Sequence, residues 1–391
     1  MIFTAQRKEL LAQARRVSKV APHNHTTPEL NGIHIEAFPN QNALRLTATD
    51  FEMSIRVSLH ANVELGGEAI VDTKLLIDIL SKLPGSEVTL ELRKNGVMSI
   101  TSGTSIFDLV VIPGEKYPRV EMPMPGESIA VSGIPSLITS TVFAASKENI
   151  GQAARAQTCC INLTIDADGL RAAASDGFCV AESLGDRECK GNFSMLISAN
   201  AATTLALLAN DSDVFELGVT GEGSGKTVSF FDGSLLFTAR LVNGEFFDSN
   251  SFFDKFTAVT SIEVDAQRLC ELIANAMAVA TDAAQLEVSV GNGNLTLRCI
   301  SPAGKSEAAI PIASAETPKV TFYFSPKRLT YCLKTYKGAV TFELSKTGML
   351  VMRCGNARYF QVGERKRVIT PKVEKTSKVK TGKKTKAEEA A

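Results

Sequence analysis

Nowhere in these 391 residues is there an unbroken run of the ~18–20 apolar side chains that a membrane-crossing helix needs, and none follows the N-terminal Met1-Ile2-Phe3-Thr4-Ala5-Gln6-Arg7-Lys8. The expectation is a soluble, cytoplasmic protein with no membrane partner. The eight cysteines, at 159, 160, 179, 189, 270, 299, 332 and 354, include no CxxC pair, and several stand inside apolar runs. That pattern points to buried free thiols in a reducing compartment. Histidine is scarce: His23, His25, His34 and His60 are the only four, and the closest pair has no Cys or further His at metal-site spacing. A solvated loop accounts for that pair better than zinc does. Asp50, Glu52 and Asp176 lack a nearby histidine, so turn capping explains them better than nucleophilic catalysis. No enzyme activity, metal or cofactor is expected.

Net charge is also missing, but the zero hides a split. From Glu364 onward there are ten Lys/Arg against four Asp/Glu, which leaves 32 basic and 38 acidic residues in the body. Non-specific affinity for DNA comes from cations that neutralise phosphates, so an acidic body is a poor general binder and any such contact must be local. The Lys-rich end, 365–391, has almost no large apolar side chains and is expected to be disordered.

What the chain does have is repetition. An amphipathic segment recurs at Thr4–Leu11, Ser132–Ile138 and Asp265–Leu272. A second recurs around Thr73, Ala199 and Pro326, which are 126 and 127 residues apart. Solenoid periods run ~20–50 residues, so each unit is a whole domain. Composition, at 44% hydrophobic, lets each unit bury a core. In the first unit the second helix precedes Val88–Leu92, a Lys94-Asn95-Gly96 turn and Val97–Ile100; in the third, Val340–Leu344, Lys346-Thr347-Gly348 and Met349–Met352 repeat the hairpin signal. The expected fold class is α+β, three tandem copies of a two-helix, roughly eight-strand domain with helices on one sheet face. The expected spans are 1–125, 126–255 and 256–364, followed by the tail.

At 100° per residue, Leu10, Ala14 and Val17 share one side of the first helix, and Lys8, Arg15 and Lys19 the other. The last helix likewise sets Leu329, Cys332, Leu333 and Tyr336 against Lys327, Tyr331 and Lys334. Lys74 and Lys82 occupy the second helix, diluted by Asp78, and Arg268 opens the third unit's first helix. The middle unit's helices carry no charge, leaving Lys147, Gln152 and Arg155 as its candidates. One charged helix face is what any surface helix shows; several in a net acidic body point to an anionic partner.

Phe3-Thr4 with Glu9-Leu10-Leu11, Val17-Ser18, Pro28, Leu46–Met53, Ser175-Asp176-Gly177, Leu241–Phe246 and Tyr359 stand in an order and spacing that resembles the bacterial replicative sliding clamps, the beta subunits of DNA polymerase III, over residues 1 to 362. The resemblance implies a head-to-tail homodimer, a ring of six domains with helices inside and double-stranded DNA through the hole. It also implies partners: a DNA polymerase catalytic subunit, a clamp loader, and other replication and repair proteins that dock through short peptides. Carried over by position, a DNA-contacting loop falls at Pro22-His23-Asn24-His25, with Asn24 where arginine is common, and a second near Asn149, Gly151 and Gln152. The peptide groove falls at Thr158, Ser175, Gly177, Phe178, Cys179, Val180, Phe247, Ser325, Arg328, Met349, Phe360, Gln361 and Val362. Phe178-Cys179 replaces a usual His-Arg pair, and Phe247 a proline. The subunit contact pairs Phe107 and Leu109 with Ala278 and Val279, the alternative for these four being ordinary core packing.

Two other functions compete. Thr220-Gly221-Glu222-Gly223-Ser224-Gly225-Lys226-Thr227 nearly spells a phosphate-binding loop of an NTPase, but Thr220 stands where that pattern needs glycine, and the segment lies at a hairpin-turn position of the repeat. A linear three-module scaffold without a DNA role is the other.

Overall fold

The computed structural model describes residues 1–146, 156–189, 191–280, 284–301, 303–312 and 319–366. Seven α-helices run through them: α1 (Arg7–Val17), α2 (Thr73–Lys82), α3 (Ile134–Val142), α4 (Ala199–Leu208), the short α5 (Asn250–Asp254), α6 (Ala266–Ala276) and α7 (Pro326–Thr335). Local chemistry sets where they start. The carboxylates of Asp72 and Asp265 and the hydroxyl of Ser198 each accept the backbone N–H three residues on, at Leu75, Arg268 and Ala201. Each thereby satisfies a donor that the first turn leaves open. Pro326 opens α7 with a φ already suited to a helix. Among the described residues no helix is long and apolar enough to cross a membrane.

All strand pairings are antiparallel, and the hairpins read in the sequence are present. Glu87–Leu92 pairs with Val97–Ser102, and Ala339–Ser345 with Met349–Cys354. Gly96 and Gly348 turn them with φ of 76° and 82°, values that an L side chain rarely adopts.

Among the described residues there are four sheets, of five, nine, eight and four strands, and the two larger ones cross from one repeat to the next. Met53–His60 of the first unit pairs with Leu235–Arg240 of the second, Ile55 opposite Phe237. Cys179–Leu184 of the second pairs with Ala357–Val362 of the third, Val180 opposite Phe360. An unpaired strand edge exposes a row of backbone donors and acceptors, and fusing edges removes two rows at once. Sequence periodicity carries no sign of which remote strand meets which, so the fusion was not foreseen.

The helices form one layer on the sheets. α1 packs on α2, α3 on α4 and α6 on α7, while α3 touches α7 across the second junction. At the first junction an Arg16 Nη2 donates to the Leu208 carbonyl at 3.1 Å, joining α1 to the end of α4, and lies 3.5 Å from Asp232. So the first helix of one unit neighbours the second helix of the next. At the second junction Glu182, 1% exposed, is the lock. Its Oε1 accepts from Arg358 Nε (3.0 Å) and Nη2 (2.6 Å), and its Oε2 accepts from Ser249 Oγ (2.7 Å). Removing one partner of such a buried pair leaves the other charge uncompensated, which costs on the order of 3–5 kcal/mol. Glu182→Ala is therefore expected to lower the unfolding free energy in urea by about that much. Arg93→Ala, which breaks the exposed 3.2 Å pair with Asp108, should cost ~1 kcal/mol or less; equal losses in the two variants would show that the junction does not hinge on Glu182.

Candidate nucleic-acid face and partner groove

On α1, Leu10, Leu11, Ala14 and Val17 are buried, and Lys8 and Arg15 are exposed, as is Lys19 just beyond. Lys74 and Lys82 of α2, Arg268 of α6, and Lys327 and Lys334 of α7 are exposed as well. Leu329, Cys332, Leu333 and Tyr336 are buried, so both amphipathic faces of α7 were read correctly. The Lys327 ammonium sits 6.0 Å from the Tyr331 ring centroid. α3 and α4 present Ser136, Thr139, Asn200, Thr203 and Leu207, none of them charged. Lys147, Gln152 and Arg155, with Asn149 and Gly151, lie outside the described residues.

The loop after α1 places His23 and Asn24 in the open. His25 is tied into the loop, its Nδ1 accepting from the Thr27 N–H (3.0 Å) and its backbone bonded both ways to Asn31. Lys19, His23 and His25 border a cavity of about 490 Å³ whose far wall is Asp50, Met53 and Asn200, three residues the sequence reading did not place there. His34 departs from a solvated setting. It lies in strand Gly32–Phe38, 9% exposed, bonded to Glu68 (2.8 Å) and stacked on Tyr117.

At the second junction the proposed groove residues do converge, in two different states. Ser175, Cys179, Val180, Phe360 and Gln361 are buried, so they form its wall. Phe178, Phe247 and Val362 are exposed, and Thr158, Ser325, Arg328 and Met349 are half-buried. Asp176 caps the turn as expected, its Oδ1 accepting from the N–H groups of Phe178 and Cys179, just as Asp50 does for Glu52 and Met53. Gly177 supplies the positive φ of 87°. The other Asp176 oxygen accepts from Arg328 Nε at 2.7 Å, which binds α7 to the second unit, and the Arg328 guanidinium lies 5.0 Å from the Phe178 ring centroid.

Beside this turn runs a ladder of rings. Phe246 stacks on Phe247 (4.3 Å), Phe247 meets Phe252 edge-on (5.4 Å), and both Phe252 and Phe253 contact Phe360. Phe246, Phe252 and Phe253 were missed. The signal was there, five phenylalanines within residues 246–256, of which only Phe247 was read as part of the groove.

The near-phosphate loop spans a hairpin. Phe215–Thr220 pairs with Thr227–Phe231, so a strand and not a helix follows Lys226. Phe107 is 37% exposed, Ala278 is exposed and Val279 half-buried, while half-buried Leu109 packs against the core.

The sequence profile of the DNA polymerase III beta subunit, N-terminal domain, matches residues 1–121. The beta sliding clamp of Micrococcus luteus is 26% identical over 303 residues, 76% of this chain and 94% of that one; the beta sliding clamp of Bacillus subtilis is 24% identical over 375 residues, 90% and 94%. Among solved structures, a Pseudomonas aeruginosa sliding clamp bound to griselimycin superposes with a TM-score of 0.84 at 21% identity, covering 93% of this chain and 99% of that one. The B. subtilis clamp gives 0.83 at 22%, covering 94% and 100%. Residues 1–121 thus match the N-terminal domain of the DNA polymerase III beta subunit, and over nearly its whole length the chain has the fold of the solved sliding clamps.

Within this clamp fold the groove wall is chemically quiet. Burial, helped by the Asp176 carboxylate, pushes the Cys179 thiol up to about 12, and complete burial holds Cys332 well above its ordinary value. The folded Cys179 keeps its proton to higher pH than the unfolded one. Its share of stability is thus intact below the ordinary value of 9.0 and is lost as pH climbs toward about 12. A short pulse of thiol-reactive dye at pH 8, read by peptide mapping, is expected to mark half-exposed Cys354 and to spare Cys179 and Cys332 until the chain unfolds. Labelling of native Cys179 as fast as Cys354 would mean the wall opens.

Proposed function

We propose that two copies of the chain close head to tail into a ring that encircles double-stranded DNA and tethers a replicative polymerase to it, without catalysis of its own. The observation that carries this reading is the rule by which the units are joined. At both junctions the outer strand of one unit's first sheet, Met53–His60 or Cys179–Leu184, meets the outer strand of the next unit's second sheet, Leu235–Arg240 or Ala357–Val362. Applied once more, the rule pairs the two edges left over. These are Gly304–Pro311, at one end of the four-stranded sheet, and Ser105–Val110, at one end of the five-stranded sheet. Their union has nine strands, like the first junction. The helices repeat the pattern, since α1 and α3 each neighbour the next unit's second helix, which leaves α6 for α2 of another copy. Contacts of this heterologous kind close into a ring when their rotation permits.

The leftover edges look like an interface. Ile106 (64%), Phe107 (37%) and Val110 (90%) are exposed there, and Ala278 and Val279 follow α6. The helix layer carries Lys8, Arg15, Lys19, Lys74, Lys82, Arg268, Lys327 and Lys334 on the side turned away from the sheets, with His23 and Asn24 at its rim. These reach phosphates and not base edges, so the contact is sequence-independent and permits sliding. Lys147, Gln152 and Arg155 would supply the middle unit's share. Topological capture raises the local concentration of a bound polymerase without a tight protein–DNA contact.

The groove at the second junction is the docking place for the polymerase catalytic subunit, the clamp loader and other partners that present short peptides. The first junction offers no equivalent, because buried Ser54 and Thr238 stand where the second has Val180 and Phe360.

After loading, the protein is expected to stay on a nicked circle and to be lost once that circle is linearised; equal retention on both would reject encirclement. Phe107→Asp puts a charge on the exposed edge and should yield folded monomer by light scattering, whereas a dimer that persists would place the contact elsewhere.

A further inference from the structure

Four arginines from both sides of the second junction, Arg171, Arg187, Arg353 and Arg358, line one cavity of about 670 Å³. Arg353 and Arg358 stand directly opposite each other in the ladder, an arrangement that destabilises a sheet unless an anion answers it. The carboxylates nearby are largely committed. Both Glu182 oxygens are occupied by Arg358 and Ser249; Glu343 takes Arg353 Nε at 3.2 Å; and Asp166 and Asp168 take Arg171 Nη2. Donors remain. Arg171 Nε is buried with no hydrogen-bond acceptor, the Glu182 carboxylate being 3.9 Å away. Arg187 is exposed and makes no ion pair among the described residues. The terminal nitrogens of Arg353 are not used by Glu343.

The lining also says what the ligand lacks. No aromatic ring lines the cavity among the described residues, and nearby Phe253 is buried and covered by the Arg358 guanidinium at 4.2 Å, so no bare aromatic face is offered to a base. Forked guanidinium donors suit planar or tetrahedral oxyanions, and the volume lies in the ordinary range for small-molecule sites, ~300–1,000 Å³.

We propose that this cavity binds a compact, multiply charged phosphate-type oxyanion, with Arg187 and Arg353 closing on it and Arg171 Nε donating from the floor. Orthophosphate and diphosphate share that chemistry. The site is independent of ring closure and of the peptide groove.

Calorimetric titration of the full chain with sodium pyrophosphate, and separately with orthophosphate, at an ionic strength held constant with chloride, tests it. One saturable site per chain is expected. Arg187→Ala and Arg353→Ala should each weaken it by about tenfold or more, and Arg353→Lys should restore only part. Arg187 is exposed, so its variant keeps the fold, and Arg93→Ala serves as the charge-matched control. An absence of heat beyond the chloride blank for both anions, or unchanged affinity in Arg187→Ala and Arg353→Ala, would overturn the site.

Discussion

Unpaired β-edges are the constraint on which this structure depends. Each repeat makes two small sheets, and an isolated sheet of four or five strands leaves two rows of backbone donors and acceptors facing water. The chain removes four such edges by fusing sheets at Ile55/Phe237 and at Val180/Phe360. The fusion joins corresponding strands each time, so the two junctions are built by the same rule. The remaining edges at Ser105–Val110 and Gly304–Pro311 are then a consequence of the rule and not an imperfection.

Sheet fusion also fixes where charge goes. With two of the sheets running across the junctions, the helices pack on them in the pairs α1–α2, α3–α4 and α6–α7, and exposed cations stand on these helices although the body as a whole is acidic. The gathering is uneven. α3 and α4 show only uncharged side chains among the described residues, while the first and third units hold the cations. Since these two units would be neighbours across the subunit contact, the field in the hole would be strongest at the two seams and weakest at the middle units. Long-range attraction with few fixed partners favours retention over register.

What the sequence made legible was local. The Lys94-Asn95-Gly96 and Lys346-Thr347-Gly348 turns, the turn-capping carboxylates of Asp50 and Asp176, and the apolar stripe Leu329-Cys332-Leu333-Tyr336 depend on residues a few places apart, and each is where it was read. The partners of strands Met53–His60 and Cys179–Leu184 lie some 180 residues away, and nothing in their alternation names them. The same holds for Glu182, which reads as one acid in a strand and becomes the junction's buried lock only when Ser249 and Arg358 arrive. Groove positions were assigned through resemblance, yet whether each is wall or surface depends on burial: Gln361 is 1% exposed, and Val362 at 42% faces outward.

The chemistry of the proposed groove then follows from how Arg328, its one cation among the described residues, is spent. Arg328 is held by Asp176 at 2.7 Å and lies against the Phe178 ring, so its charge is answered from within. A partner peptide that offered a carboxylate to Arg328 would have to displace Asp176, which also caps the turn through Phe178 and Cys179. Breaking that arrangement costs more than a half-exposed new pair returns. What the surface offers freely is apolar area: Phe178 at 61% exposure, Phe247 and Phe252 at 39% each, and Val362. Aromatic rings arranged edge to face accept another ring or a branched aliphatic chain with little loss of conformational freedom. A partner docking at this junction would therefore draw its binding energy from apolar anchors seated on the phenylalanine ladder, with the Arg328–Asp176 pair as the strut that joins the second and third units beneath them.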